Sequence, residues 1–361
     1  MYRISTAITA ILLSVGLAFP AAANDEPITL RHAIIDYRDG NYESAYEQML
    51  KYLPLGSPDA AYYLGVFSIE ELGTDYDPVK SVGYLRAAKA WRHEGAEDLL
   101  VQIEPHLSAE ELAAAEAFYT KLQDELIVAR SAGWLERRDR ESRPARRRAQ
   151  PEYPPHYGRQ GLQTWVNIVQ VVGKRGQVLA STVLNEPMTD FTRNYRRVEP
   201  QWRYTAGDQI QYTRVILAYH LDLNTAEDLK AIQAAFDRVL PLAEAGVPEQ
   251  QMFLGGLAMT RDRNNEPYPM LADYRPWVWY DRAARGGYQP AQHFMALNFY
   301  SQTWAQYLID QGDLTVMTFH GAQLYDRAAD DAARARGLQL LEQAAAAGDE
   351  RAAAILADIR S

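Results

Sequence analysis

The most constraining feature of this 361-residue chain is a spacing rule that recurs toward both of its ends. A glycine is followed eight and nine residues later by a large apolar residue and then a small one. Gly56 leads to Leu64 and Gly65, Gly246 to Leu254 and Gly255, Gly287 to Met295 and Ala296, and Gly348 to Leu356 and Ala357. A weaker copy runs from Gly95 to Ile103. Each glycine closes a segment of helical character, such as VLPLAEAG or LLEQAAAAG. A helix stopped by a left-handed glycine, then a helix whose small residue admits a close neighbour, is a helix–turn–helix unit. Such units bury their faces only by stacking on one another. The expected fold is mostly α: an α-solenoid of helix–turn–helix repeats flanking a small inserted α+β domain with an antiparallel sheet. The interval from Gly287 to Gly348 is 61 residues, against 41 from Gly246 to Gly287, which predicts an insertion around Trp304–Phe319.

Between the helical arms the period changes. Trp165–Val172 and Gln177–Leu184 are rich in β-branched residues, and Gly173-Lys174-Arg175-Gly176 separates them, which predicts a hairpin. A third alternating run covers 209–219, and a charged stretch from Asp190 to Trp202 predicts a short helix between, bent or ended at Pro200. Phe191 and Trp202 are expected to pack that helix onto the sheet. The last strand, with Tyr212, Arg214, Ile216 and Ala218 on one face, is a candidate edge offering unpaired main-chain groups to an extended peptide.

The chain carries 37 Lys+Arg against 47 Asp+Glu, a formal charge of −10, which argues against a nucleic-acid partner for the whole molecule. It has no cysteine, so disulfides, thiolate metal sites and cysteine nucleophiles are excluded. Its seven histidines show no metal-ligand spacing, and no nucleophile elbow or phosphate loop occurs. No cofactor, metal or enzymatic activity is expected. Against the acidic background stands a basic block of seven arginines between Arg137 and Arg148. It reads either as a solvated helix end and linker, or as a contact for anionic lipid, cell wall or an acidic partner. At the N-terminus, Arg3, an apolar run Ile4–Phe19 and Pro20-Ala21-Ala22-Ala23 have the form of an export signal cleaved after Ala23. The alternative is an uncleaved inner-membrane anchor.

Two resemblances attach to these segments. AAYYLG…LGTDYDPVKSVGYLRAAKAWRHEG at 60–95 and WVWYDRAARGGYQPAQHFMALNFY at 277–300 resemble Sel-one-like repeats, relatives of the tetratricopeptide repeat. RDGNYESAYEQMLKYLPLG at 38–56 looks like a leading tetratricopeptide-type helix pair. The ordered set Gln150-Pro151-Glu152-Tyr153-Pro154, hairpin, Phe191, Trp202-Arg203-Tyr204 and final strand resembles the C-terminal domain of TonB, the periplasmic end of the energy transducer of outer-membrane import in Gram-negative bacteria. The first resemblance implies a protein-binding scaffold. The second implies capture of a short receptor segment beside the edge strand, with Gln150, Pro151, Tyr153 and Pro154 as contact residues; the edge-strand reading adds Tyr212, Arg214 and Ile216.

The expected organisation is then a signal peptide (1–23), N-terminal helical repeats (28–135), an Arg-rich linker (136–149), a TonB-C-terminal-like domain (150–223) and C-terminal helical repeats (224–361). The expected function is a periplasmic adaptor that captures an extended partner segment by strand addition. The partner is another protein, an outer-membrane receptor or a cell-envelope complex, with membrane contact through the Arg-rich segment or an uncleaved N-terminus. The alternative is a membrane-anchored energy transducer of TonB-dependent transport. The absence of a long Pro-rich spacer, and of any histidine before His32, weighs against that alternative.

Overall fold

A computed structural model describes residues 28–130, 143–158, 164–185, 189–219, 225–261 and 266–361. The expected export signal and Arg137, Arg138 and Arg140 lie outside them. In chain order the elements are α1 (Leu30–Arg38), α2 (Tyr42–Leu50), α3 (Pro58–Glu70), α4 (Pro78–Ala90), α5 (Ala96–Ile103) and α6 (Ala109–Asp124). The central segment supplies β1 (Ala145–Arg147), α7 (Pro155–Gly158), β2 (Thr164–Val172), β3 (Val178–Val183), α8 (Thr189–Val198), β4 (Arg203–Tyr204) and β5 (Gln211–Tyr219). The rest is helical: α9 (Thr225–Glu244), α10 (Pro248–Leu257), α11 (Pro276–Arg285), α12 (Gln289–His293), α13 (Gln302–Asp310), α14 (Leu314–Asp326), α15 (Asp331–Ala346) and α16 (Glu350–Arg360). The protein is mostly α, with small antiparallel sheets inserted in mid-chain. Among the described residues no helix is long and apolar enough to cross a membrane.

The glycines behave as their spacing predicts. Gly56, Gly246, Gly287 and Gly348 all have positive φ, and a helix starts within two residues of each. At Gly65 a Cβ would lie 2.6 Å from Leu85 Cγ, so the missing side chain is what lets α3 and α4 approach. Two copies depart from the rule. Gly95 has φ −73° and caps α5, while Arg92, at φ 74°, makes the left-handed turn instead. Ala357 is exposed, so among the described residues it lies at no helix crossing. The expected insertion is itself helical: α13 ends at the left-handed Gly312, and Gly321 follows nine residues later. That glycine is buried against α15, where a Cβ would lie 3.0 Å from Gly337 O. An unrecognised copy of the repeat therefore starts at Gly312, hidden because the large apolar position is His320.

The chain divides into two units, each assembled from distant stretches. The first combines Met1–Ala132 with Ile232–Gln292. Within it Leu30 N donates to Gly286 O (2.9 Å), Tyr63 Oη donates to Ala245 O (3.0 Å), and Arg285 bonds Leu55 O and Val128 O. Asp59, on α3, is buried under Arg282, which makes an ion pair with it, and accepts from Gln251 Nε2 at 3.0 Å. Burial by itself would raise the Asp59 carboxyl, but Arg282 and His93 outweigh it and hold the group below the usual range. His93, stacked on Tyr62, is pushed down to about 4 by burial.

The second unit combines Gly133–Ala231 with His293–Ser361. The region 224–361, read from sequence as one arm, therefore contributes to both units. Its core is a three-stranded antiparallel sheet of order β3-β2-β5. Strand β2 pairs with β5 from Thr164↔Tyr219 to Val172↔Gln211, and with β3 through the predicted hairpin. One face carries Val166, Ile168, Val215 and Leu217 against α8, with Phe191 and Trp202 fully buried there. Helix α8 ends at Val198, and a 3-10 turn containing Pro200 follows. The other face is met by α14, and the β3 side by α16. The Arg-rich segment is only partly a linker, since Ala145–Arg147 pairs with β4 in a second, two-stranded sheet. All three residues of β1 are exposed, so no apolar alternation marked the strand in the sequence.

Candidate functional site: the β5 edge

Strand β5 ends the sheet, so among the described residues one of its sides has no strand neighbour. The main-chain N–H of Tyr212 points outward and donates to Asp326 Oδ2 at 3.1 Å. In an antiparallel ladder outward main-chain groups alternate, so the N–H groups of Arg214, Ile216 and Ala218 point to that outer side as well. The two halves of the edge differ. In the first half Tyr212 is buried and its hydroxyl donates to Leu297 O (2.7 Å), while Arg214 Nη1 donates to Asn298 O (2.6 Å). Arg214 and Arg327 both lie over the Tyr300 ring, at 5.0 and 4.7 Å from its centroid. In the second half Ile216 is 54% exposed.

The entry segment is folded along the same module. Trp202 Nε1 donates to Ala149 O (2.9 Å), and Asn194 Nδ2 donates to Glu152 O (2.8 Å). Gln150 is exposed, Pro151 half-buried and Pro154 buried. Tyr153 is half-buried, its ring edge-on to Phe191 (5.5 Å) and Tyr219 (6.2 Å). Burial raises the Tyr153 phenol and pushes Tyr219 up to about 12, so both stay neutral and apolar in character. Of the seven residues expected to contact a partner, Tyr153 is thus brought to the C-terminal end of β5, in the half where Ile216 is exposed. Tyr212 and Arg214 hold segments 297–300 and 326–327 of their own unit instead.

Sequence reasoning missed the residues that close the sheet from outside. Asp326, at the end of α14, caps the Tyr212 N–H. Asp358, on α16, accepts from Lys174 N (2.8 Å) and Gln177 Nε2 (2.9 Å), binding the hairpin turn. The available signal was their placement: both are buried acids, and Asp358 falls three residues after Ile355 on the buried face of α16. Among the described residues no group of acids and histidines could hold a metal ion. Asp190 bridges His156 (3.1 Å) and Arg193 (2.7 Å), and His293 faces Asp313 (2.6 Å), the N-cap of α14. Both pairs lie at helix ends, where they fix local geometry.

Comparison with known protein families, curated proteins and solved structures gives no match.

Proposed function

We propose that this chain is a non-enzymatic protein-interaction adaptor of the cell envelope. Its α+β module captures an extended segment of a partner protein by strand addition along the second half of β5, with the helical units as scaffold. The observation that carries this reading is Ile216, an exposed apolar residue on an edge strand whose N–H points away from β2, with Tyr153 packed at the strand's end. Edge strands with such features are normally covered or charged, because they template pairing with another chain. The hairpin–helix–strand order, and the Trp202 anchor on the entry segment, support the resemblance to TonB C-terminal domains. The helix pairs support the Sel-one-like one. Because Asp326 and α14 occupy the first half of the edge, capture falls on residues 215–219.

The test is site-specific photocrosslinking in cells with a benzophenone side chain at position 216, compared with position 101, also exposed and apolar but on α5. Capture at 216 alone is expected. The Ile216→Pro substitution removes an outward donor without touching the β2 ladder. It should reduce capture of the same partner, read with the benzophenone moved to position 153, by about fivefold or more, since one main-chain bond of about 1 kcal/mol is lost and the ring obstructs the incoming strand. Crosslinks that are equal at 101 and 216, or indifferent to proline, would sink the strand-addition reading.

A further inference from the structure

The β5 edge leaves the charge of its module unexplained. Residues 143–219 hold twelve Arg and Lys against five Asp and Glu, a net +7 within a chain of −10. Eleven of the twelve are arginine. The densest part is the β1–β4 ribbon, where Arg146, Arg147, Arg148 and Arg203 are all exposed. Arg147 is the direct cross-strand partner of Arg203. Like charges directly opposite on paired strands destabilise the pairing. Among the described residues no acid neutralises these four. Of the module's acids, Glu199 is paired with Arg196 (3.2 Å) and Asp190 with Arg193 and His156. The ribbon is nevertheless well fixed: Arg148 lies over the Trp202 ring at 4.8 Å, Arg147 Nη2 donates to Gln201 Oε1 (3.2 Å), and Arg203 Nη1 donates to Pro200 O (2.8 Å).

We propose that the β1–β4 ribbon docks the protein on an anionic phospholipid surface. Four exposed guanidinium groups, three of them held in place and none paired with an acid among the described residues, suit an array of phosphates, which arginine binds in bidentate fashion. Two features favour a bilayer over an acidic protein. None of the large exposed apolar side chains lies on the ribbon, so it lacks the apolar centre of a protein interface. The charge is also spread along an exposed ribbon, as a surface of mobile headgroups requires, and is not gathered in a pocket. Contact is electrostatic and independent of the strand-capture edge, so either activity can fail without the other.

The test is co-sedimentation of the full chain with vesicles of phosphatidylcholine alone and of phosphatidylcholine mixed with phosphatidylglycerol. Binding to the anionic vesicles only is expected, lost on raising salt from about 0.1 to about 0.5 M. Each arginine near such a surface contributes about fivefold, so the Arg147→Gln/Arg203→Gln variant should bind roughly twentyfold more weakly. A second variant, Arg203→Glu, converts the repulsive pair into an attractive one. Because it changes the charge by the same two units, it should weaken vesicle binding by a similar factor while leaving the melting temperature unchanged or raised. Equal binding to neutral vesicles, salt-insensitive binding, or a fall in melting temperature accounting for the loss would overturn the proposal. So would retention on immobilised RNA or polyglutamate without vesicle binding, which would assign the ribbon to a soluble polyanion.

Discussion

His320 sits eight residues after Gly312, at the position that Leu64, Leu254, Met295 and Leu356 fill in the other repeat copies. It is buried, with Nδ1 3.1 Å from Gln323 Oε1, and burial lowers its pKa to about 4, with Arg336 adding to the fall. Because the folded value lies below the ordinary 6.5, the imidazole is neutral in the fold and the unfolded chain binds the extra proton. Its stabilising effect is complete above pH 6.5 and is lost as the pH falls through 4. Between pH 7.5 and 5 the loss for one such group is about 2 kcal/mol. His320→Leu should remove that share of the acid dependence, while costing about 1 kcal/mol at neutral pH through the lost bond to Gln323. Urea unfolding at the two pH values checks this, and an unchanged pH dependence would refute it. His93 repeats the situation in the other unit, with a pKa also near 4, so both units weaken over the same acid interval.

At the scale of elements, the helix pairs depend on small residues at crossing points. Gly65→Ala would gain roughly 1 kcal/mol of helix propensity but force a Cβ into Leu85. Overpacking of this kind costs about 1–3 kcal/mol, so the net effect should be destabilisation of about 1 kcal/mol. A thermal melt that rises would show that α3 and α4 have room to adjust. These crossings were legible in the sequence, because a left-handed glycine and a small residue nine positions on are local requirements. So were the hairpin and the edge strand, whose alternation and turn are local too. Two things were not. β1 was hidden, since a strand of three exposed residues has no apolar face to reveal it. The covering of Tyr212 and Arg214 was hidden because it depends on Asp326, Leu297 and Asn298, about 80 to 114 residues away.

At the scale of the molecule, the inserted sheet shares its unit with helices from the C-terminal stretch. Its second face carries Val169 and Val171 on β2 and Tyr212 on β5, all buried, and α14 lies on both of these strands. Asp326 and Asp358 satisfy main-chain and side-chain donors that would otherwise be open. A fragment covering 143–231 should therefore lack fixed tertiary structure and expose apolar surface to a hydrophobic dye. The same fragment joined to 293–361 should show native near-ultraviolet dichroism. A well-folded 143–231 fragment would contradict this account of the second unit.

Acting alone, the sequence determined what local stereochemistry and periodicity can determine: mostly helical repeats, their glycine turns, and an inserted hairpin, helix and edge strand. Tertiary structure decided which parts share a core, that the chain after Ile232 serves two units, and which half of β5 stays open. The physical reason is range. Turn conformation and amphipathic period act over a few residues, whereas buried acids such as Asp59, Asp326 and Asp358 act on partners that only the folded chain brings within 3 Å or so.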